Sequence, residues 1–301
     1  MFKHLLVPLD GSRLAESVLP SVVYLARATG ATVTLLHVIE RDAPQEVHGE
    51  RHLTHADDAC IYLGEVAERA FPPEMRLSIV EHVHTVEVGN VAQSIVEHVG
   101  EFAPDLIVLC SHGSGGLRDF LYGSIAEQVI AAGKTPVLVI EPEGKMPEAG
   151  YCRMLVPLDG DADHEQGIPT VIDLAKACGA SLHLLVVVRT PDTLTPQQAA
   201  TGRLLPSATN AMLELAQEDA VAYLRGKIDQ LQAAGVTVSA EVARGDPTAA
   251  IVATAERISA DLIVLGTHGK AGWDAFWAGS VTPKIADRTR RHLLLVPVHA
   301  S

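Results

Sequence analysis

Short apolar runs alternate along the chain with longer stretches in which apolar residues recur at helical spacing. In the first half these features predict strands near 2–9, 32–39, 77–87, 105–110 and 135–140, and helices near 12–29, 52–70, 90–101 and 120–132. In the second half they predict strands near 152–158, 181–188, 236–243, 261–266 and 292–298, and helices near 163–178, 207–234, 246–258 and 279–290. Nearly continuous apolar strands separated by helices are typical of an α/β protein whose parallel sheet is covered on both faces.

The two halves of the chain carry the same motifs in the same order. Residues 5–11 (LLVPLDG) recur as 154–160 (MLVPLDG), and residues 104–109 (PDLIVL) recur as 260–265 (ADLIVL). Repeats that keep their order over so much of a chain indicate the duplication of one domain of roughly 150 residues.

A stretch without apolar periodicity separates the two halves. It reads EPEGKMPEAG, so proline, glycine and charged residues dominate it, which is typical of a linker. We therefore predict a first domain over residues 1–141, a linker over 142–151 and a second domain over 152–301.

Composition and charge exclude several classes of partner. The 301 residues carry a formal net charge of −14, which argues against a nucleic-acid or anionic-membrane partner. No apolar run is long enough to span a membrane, and the N-terminus lacks a signal-peptide pattern. The four cysteines form no CxxC motif. We expect a cytoplasmic protein with reduced thiols.

A glycine-rich loop follows the fourth apolar run of the second half. Its glycines and the closing serine have the spacing Gly-x2-Gly-x9-Gly-Ser and occupy Gly266, Gly269, Gly279 and Ser280, and a helix is predicted to follow. Glycines let a backbone come close to an anion, and free N–H groups at a helix start bind phosphate. The pattern is neither a P-loop nor a GxGxxG fingerprint. The alternative interpretation is a loop whose glycines only allow a turn.

An aspartate ends the first predicted strand of each half, Asp10 in the first and Asp159 in the second. Parallel sheets bind ligands at the carboxyl ends of strands where the strand order reverses, and the glycine loops follow the fourth strands. If strands one and four are neighbours, the aspartates and the loops line one crevice, where a base edge and phosphates could bind. The alternative role for each aspartate is to cap the helix that follows.

These motifs resemble those of the universal stress protein family in its tandem two-domain form, and the resemblance covers nearly the whole chain twice. It implies two Rossmann-like domains, each a five-stranded parallel sheet of order 3-2-1-4-5. It also implies that ATP (or ADP or AMP) binds with Mg²⁺, adenine lying against the first-strand Asp and a second-strand Val. In the second half the residues implied are Pro157, Asp159, Val187, Leu265, Gly266, Gly269, Gly279, Ser280 and Val281. In the first half they are Pro8, Asp10, Val38, Gly113, Gly123, Ser124 and Ile125.

The first half departs from this pattern at one position, because Cys110 stands where the second half has Gly266. A side chain there is expected to crowd the ribose, or to be incompatible with a positive φ if the backbone requires one. We therefore predict that the second half binds nucleotide more tightly than the first. A reactive thiol at Cys110 is the other interpretation, but a cysteine at the end of an apolar run is more often an inert filler.

The resemblance also predicts how the halves meet. In a 3-2-1-4-5 sheet the fifth strands would be edges with apolar segments at 137–140 and 293–296, and an unpaired apolar edge promotes aggregation. We predict that the two fifth strands meet in an intrachain pseudo-dimer. A further homodimer is left open.

Three interpretations of function remain. The first is a nucleotide-dependent stress-response protein without efficient catalysis, because no general base is evident near the loop. The second is a slow Mg²⁺-dependent ATPase, for which Lys270 and Asp274 are the nearby polar candidates. The third is an interaction module whose pockets are empty or hold another ligand.

Three further features deserve a structural interpretation. The segment with His48, His52 and His55 has the residue types of a metal site, but a solvated polar segment is favoured and no metal ligand is assigned. His82 and His84 alternate onto one face of a predicted edge strand and are expected at the surface. The Pro/Thr-rich stretch 189–206 is expected to be a loop, either idle or a lid over the adenine.

Overall fold

The computed structural model describes residues 2–39, 46–47, 50–51, 53–85, 91–111, 128–130, 135–142, 150–268 and 281–298. The main strands of the first half are β1 (His4–Pro8), β2 (Thr32–Ile39), β3 (Ile79–Thr85), β4 (Leu106–Cys110) and β5 (Val137–Ile140). Those of the second half are β6 (Arg153–Leu158), β7 (Ser181–Val188), β8 (Val238–Arg244), β9 (Leu262–His268) and β10 (His292–Val298). A separate antiparallel pair joins Glu46–Val47 to Glu50–Arg51.

The ten main strands form one sheet in the order β3-β2-β1-β4-β5-β10-β9-β6-β7-β8. Each half therefore has the order 3-2-1-4-5, all parallel, which confirms the α/β, Rossmann-like fold class. The fifth strands join the halves through an antiparallel pairing in which Leu294 lies opposite Leu138. The prediction that they meet within the chain is confirmed, and two apolar edges are covered at once.

The described helices of the first half are α1 (Arg13–Glu16), α2 (Leu19–Thr29), α3 (Ala56–Ala70) and α4 (Val91–Phe102). Those of the second half are α5 (Ile168–Cys178), α6 (Pro196–Leu204), α7 (Pro206–Ala233), α8 (Pro247–Arg257) and α9 (Val281–Ala286). Short 3₁₀ turns cover Pro73–Ser78, Ala162–Gly167 and Pro191–Thr193. No helix among the described residues combines the length and the apolar character that crossing a membrane requires.

One helix prediction and one loop prediction need correction, and most of the helix predicted near 120–132 lies outside the described residues. The helix predicted near 12–29 is two helices, α1 and α2, and α2 begins next to Pro20, which has no N–H to continue the hydrogen bonds of the preceding turn. The stretch 189–206 is not a loop, because residues 196–204 form α6. Thr195 and Gln198 make a reciprocal capping box at its start, with N···O distances of 3.1 and 3.3 Å.

Helices cover both faces of the sheet. Successive strand residues point to opposite faces, so Leu5 joins one core and Leu6 the other. The first core packs against α2, α3, α5 and α7. The second core packs against α4, α8 and α9. The first core is continuous across the junction of the halves, since it includes Leu138 of β5 and Leu294 of β10.

An aspartate fixes the relation between strands one and four in each half. The Oδ2 atom of Asp105 accepts hydrogen bonds from the backbone N–H groups of Lys3 and His4, with distances of 2.6 and 2.9 Å. Asp261 does the same with Cys152 and Arg153, at 2.9 and 2.8 Å. The repeat in the sequence is therefore a repeat of individual contacts, so residues of the halves can be compared position by position.

Candidate functional site

The strand order of each half reverses beside strand one, and this is where the predicted site lies. In the first half β1 pairs with β2 on one side and with β4 on the other. In the second half β6 lies in the same way between β7 and β9. Crevices at such reversal points, outside the carboxyl ends of the strands, are where open α/β sheets bind ligands.

The aspartates at the ends of β1 and β6 each accept a hydrogen bond from a backbone N–H two residues later, within the turn that follows the strand. The Oδ1 atom of Asp10 accepts hydrogen bonds from the backbone N–H of Ser12 at 2.9 Å and from its hydroxyl at 2.6 Å. Ser12 is itself the cap of α1, because its hydroxyl oxygen accepts from the N–H of Ala15 at 3.1 Å. Asp159 accepts from the N–H of Asp161 at 3.0 Å. Ser12, and not Asp10, is therefore the N-cap in the first half.

A glycine with positive φ follows each aspartate. Gly11 has a φ of +91° and Gly160 a φ of +83°, a conformation that side chains rarely adopt. The chain therefore turns sharply after the strand and leaves the aspartate at its carboxyl end. Asp159 is exposed and Asp10 is partly buried, so the second half presents its carboxylate more openly.

Apolar residues stand next to these carboxylates. Val38 lies near the end of β2 and is buried, while its counterpart Val187 on β7 is partly exposed. Pro157 of β6 is also partly exposed, and Leu265 of β9 is buried. In the second half, an exposed carboxylate and two accessible apolar residues thus lie at the carboxyl ends of neighbouring strands.

The backbone at Cys110 and Gly266 is that of a strand. Cys110 is the last residue of β4 and pairs with Ile140, and Gly266 lies inside β9 opposite Val296. A positive φ at this position is therefore not required, and that part of the expectation is wrong. Cys110 is partly buried and packs against the first core. Cys110 and Gly266 therefore share the strand backbone and differ in the volume of the side chain.

The part of the motif that is predicted to bind phosphate lies outside the described residues. In the first half this applies to Gly113, Gly123, Ser124 and Ile125, and in the second half to Gly269, Gly279 and Ser280. Lys270 and Asp274 are also outside them. The described chain resumes at Val281, the first residue of α9.

A glutamate paired with a cation follows the strand-end aspartate in both halves, and it was not among the predicted site residues. In the second half Glu165 accepts a hydrogen bond from the hydroxyl of Tyr223 at 2.7 Å and forms an ion pair with Lys227. In the first half Glu16 accepts from Arg69 at 2.8 Å. Both glutamates follow the strand-end aspartate by six residues, so the repeat could have revealed them.

The tyrosines of these two clusters stay protonated. Burial raises the pKa of Tyr223, and the carboxylate of Glu165 raises it further. Burial likewise raises the pKa of Tyr62, with Glu16 next in importance. In the first half Glu16, Tyr62 and Arg69 line an open cleft of about 780 Å³. Arginines and glutamates both line this cleft, so it does not have the uniform positive charge that favours phosphate.

The histidine segment flagged in the sequence is only partly described. His48 and His52 lie outside the described residues, and His55 is exposed at the start of α3. His82 and His84 do lie on β3, the edge strand of the first half, as predicted. They are partly buried and not fully at the surface, because α4 brings His98 against them.

Comparison with known proteins gives consistent results for sequence and fold. A family model described as the universal stress protein family matches residues 1–141 and again 150–297. Universal stress protein MJ0577 of Methanocaldococcus jannaschii is 27% identical over 164 residues, covering 47% of this chain and 96% of that protein. Universal stress protein Rv2623 of Mycobacterium tuberculosis is 25% identical over 252 residues, covering 83% of this chain and 77% of that protein.

A solved structure supports the fold over nearly the full length. The crystal structure of a universal stress protein from Archaeoglobus fulgidus aligns with a TM-score of 0.67, at 19% identity, and covers 98% of this chain and 96% of that chain. At 19% identity the match supports a shared fold and says nothing about a shared function. The tandem arrangement of two Rossmann-like halves is therefore shared with a solved protein.

Proposed function

This chain belongs to the universal stress protein family, and we propose that it binds ATP in its second half as a nucleotide-dependent stress-response protein without efficient catalysis. ADP and AMP fit the same adenine and ribose contacts. One observation carries the proposal. The motif Gly-x2-Gly-x9-Gly-Ser starts inside β9, beside the strand-end carboxylate of Asp159, at the point where the strand order reverses.

The described part of the site supplies what an adenine needs. The exposed carboxylate of Asp159 is an acceptor for an exocyclic amine, and the accessible side chains of Val187 and Pro157 offer apolar surface for a base. Gly266 is exposed and has no side chain, so the backbone at the end of β9 leaves room for a ribose.

The loop that follows would hold the phosphates. We assign Gly269, Gly279 and Ser280 to this role from their spacing, because glycine backbone and a serine hydroxyl offer donors at short range. Mg²⁺ binds chiefly through phosphate oxygens and water in such sites, so it needs few ligands from the protein. The first half is the weaker site, since Cys110 replaces the first glycine.

Substitution of Gly279 by valine tests the proposal. A hydrogen bond to a charged group contributes about 1.5–3 kcal/mol, so Gly279→Val should weaken ATP binding by more than about tenfold. Calorimetric titration of nucleotide-free protein with Mg-ATP measures this. Gly226→Val is the matched control, because Gly226 is exposed on α7 with open space around an added Cβ. Equal affinities for wild type and Gly279→Val would remove the loop from the site.

A further inference from the structure

Three histidines of the first half meet between the edge strand and the helix that follows it. His82 and His84 lie on β3, and His98 lies on α4. Their potential ligand atoms all lie within 4.8 Å of one another, and the Nε2 atoms of His82 and His98 are 3.1 Å apart. This is the one group of three or more potential metal ligands found among the described residues.

A hydrogen bond from His98 to the backbone leaves the lone pair of its Nε2 atom directed into this cluster. Its Nδ1 atom lies 2.6 Å from the backbone carbonyl oxygen of Ser94. A carbonyl can only accept, so Nδ1 carries the proton and Nε2 is the unprotonated nitrogen in the neutral ring. Histidines that bind metals commonly donate their other N–H to a backbone carbonyl in this way, which fixes the tautomer and the ring orientation.

We propose that His82, His84 and His98 bind one Zn²⁺ ion, which ties β3 to α4. Zn–N distances of about 2.0–2.1 Å with tetrahedral angles place two ligand nitrogens about 3.3 Å apart. The 3.1 Å between the Nε2 atoms of His82 and His98 is close to that separation. His84 is partly exposed, so its ring has room to turn inward.

A fourth ligand is within reach. The carboxylate of Glu101 lies 3.9 Å from Nε2 of His98, and its side chain is 64% exposed and so is free to approach. A water molecule can fill the same position. Three imidazoles with one oxygen is a donor set that suits Zn²⁺, whereas Mg²⁺ prefers oxygen ligands throughout.

A neutral imidazole is the form that binds a metal ion. Burial lowers the pKa of His82, and the neighbouring His98 and His84 lower it further, while Glu101 acts in the opposite direction. The ring of Phe102 lies 5.0 Å from that of His82 and 5.5 Å from that of His98, so one side of the cluster is apolar.

The second half shows that the fold does not need histidines at this place. In the strand registers His82 pairs with Leu36 and Glu241 pairs with the corresponding Leu185. His98 precedes Asp105 by seven residues, and Thr254 precedes Asp261 by seven. The two residues therefore occupy equivalent positions in the two halves.

Ordinary polar contacts fill the equivalent place in the second half. The hydroxyl of Thr254 donates to Glu241 at 3.1 Å, and Arg257 forms an ion pair with the same carboxylate. Ala243 occupies the position of His84. The first half instead brings three imidazoles together at this place.

Titration of the metal-free full chain with Zn²⁺ tests the proposal. We expect one equivalent to bind, and Co²⁺ in its place to give the visible absorption of a four-coordinate ion. Millimolar Mg²⁺ should not compete, which separates this site from the Mg²⁺ that accompanies a nucleotide. His84→Gln and His98→Gln should each weaken Zn²⁺ binding at least about tenfold. Absence of stoichiometric binding, or unchanged affinity in His84→Gln, would overturn the proposal.

Two controls separate the cluster from the other histidines. His183 lies partly buried on β7 of the second half, outside the cluster, so His183→Gln should leave Zn²⁺ binding unchanged. His55→Gln should also leave it unchanged, and loss of binding in that variant would place the ion at the 48–55 segment instead. Because His98 is buried, thermal melts without metal establish that each variant is folded. In wild type Zn²⁺ should raise the melting temperature, and His84→Gln should abolish that rise.

Discussion

The hydroxyl of Tyr151 lies 3.0 Å from the hydroxyl of Ser21 and 2.9 Å from Nδ1 of His292. Tyr151 is fully buried, and burial raises the pKa of its phenol, so it stays protonated. Ser21 is on α2 of the first half and His292 begins β10 of the second half. One side chain thus joins the end of the linker to both halves, in addition to the pairing of β5 with β10.

Removal of this hydroxyl should destabilise the protein without unfolding it. Tyr151→Phe deletes two buried hydrogen bonds, and we expect a loss of about 1–3 kcal/mol in the free energy of unfolding, measured by urea denaturation. The control is Tyr24→Phe, because the Tyr24 hydroxyl donates a long hydrogen bond of 3.4 Å to the carbonyl oxygen of Cys178. Equal losses in the two variants would mean that the Tyr151 contacts do not stabilise the junction.

Gly150 should tolerate no side chain. Its φ is +76°, and an added Cβ would lie 2.0 Å from the ring of Tyr24. Gly179 has a similar φ of +64° with nothing within 4 Å, so Gly179→Ala measures backbone strain alone. We expect Gly179→Ala to lower the urea midpoint slightly and Gly150→Ala to lower it much more. Equal midpoints would show that the ring of Tyr24 moves aside at little cost.

The thiols should differ in their reaction with iodoacetamide. Burial raises the pKa of Cys178 to about 11, so at pH 8 only about one part in a thousand is thiolate. Cys60 is exposed and serves as the internal reference. We expect Cys178 to label far more slowly than Cys60, and its rate to rise about tenfold for each pH unit from 8 to 10. Peptide mapping by mass spectrometry gives both rates, and equal labelling at pH 8 would contradict the burial of Cys178.

The two halves should bind ATP unequally. The strand backbone is the same at Cys110 and Gly266, so the difference is one of side-chain volume. A steric conflict of about 1–3 kcal/mol corresponds to a loss of about tenfold to a hundredfold in affinity. Cys110→Gly should therefore tighten binding in the first half, and Gly266→Cys should weaken it in the second. Two equal sites in wild type, unaltered by Cys110→Gly, would show that the thiol is tolerated.

The sequence predicts the sheet well because its signals are local or repeated. Apolar runs predict the main strands, and the apolar fifth strands predict the pairing of Val137–Ile140 with the start of the second half's last strand. Helix α6 was not predicted, because the prolines and threonines of this stretch suggest a loop. In the structure Thr195 and Gln198 instead cap a helix. Pro20 did not reveal the break between α1 and α2, because proline is common both in the first turn of a helix and at the end of one.

The site was harder to predict wherever distant residues meet. The role of Asp10 in a turn depends on Ser12 taking the cap, which residue type alone does not reveal. His82 and His98 are 16 positions apart, and only the packing of α4 on the sheet joins them. The phosphate contacts stay a prediction from spacing, because their residues lie outside the described ones.

The central claim is that an adenine nucleotide binds at the carboxyl edge of the second half, and native mass spectrometry of the full chain tests it most directly. With Mg-ATP near equimolar the account predicts one bound ATP per chain. A second, weaker adduct should form at excess, and Gly279→Val should lose the first. Mg-GTP, which has the same phosphates, should bind far less. No saturable ATP adduct, or equal binding of ATP and GTP, would contradict the account.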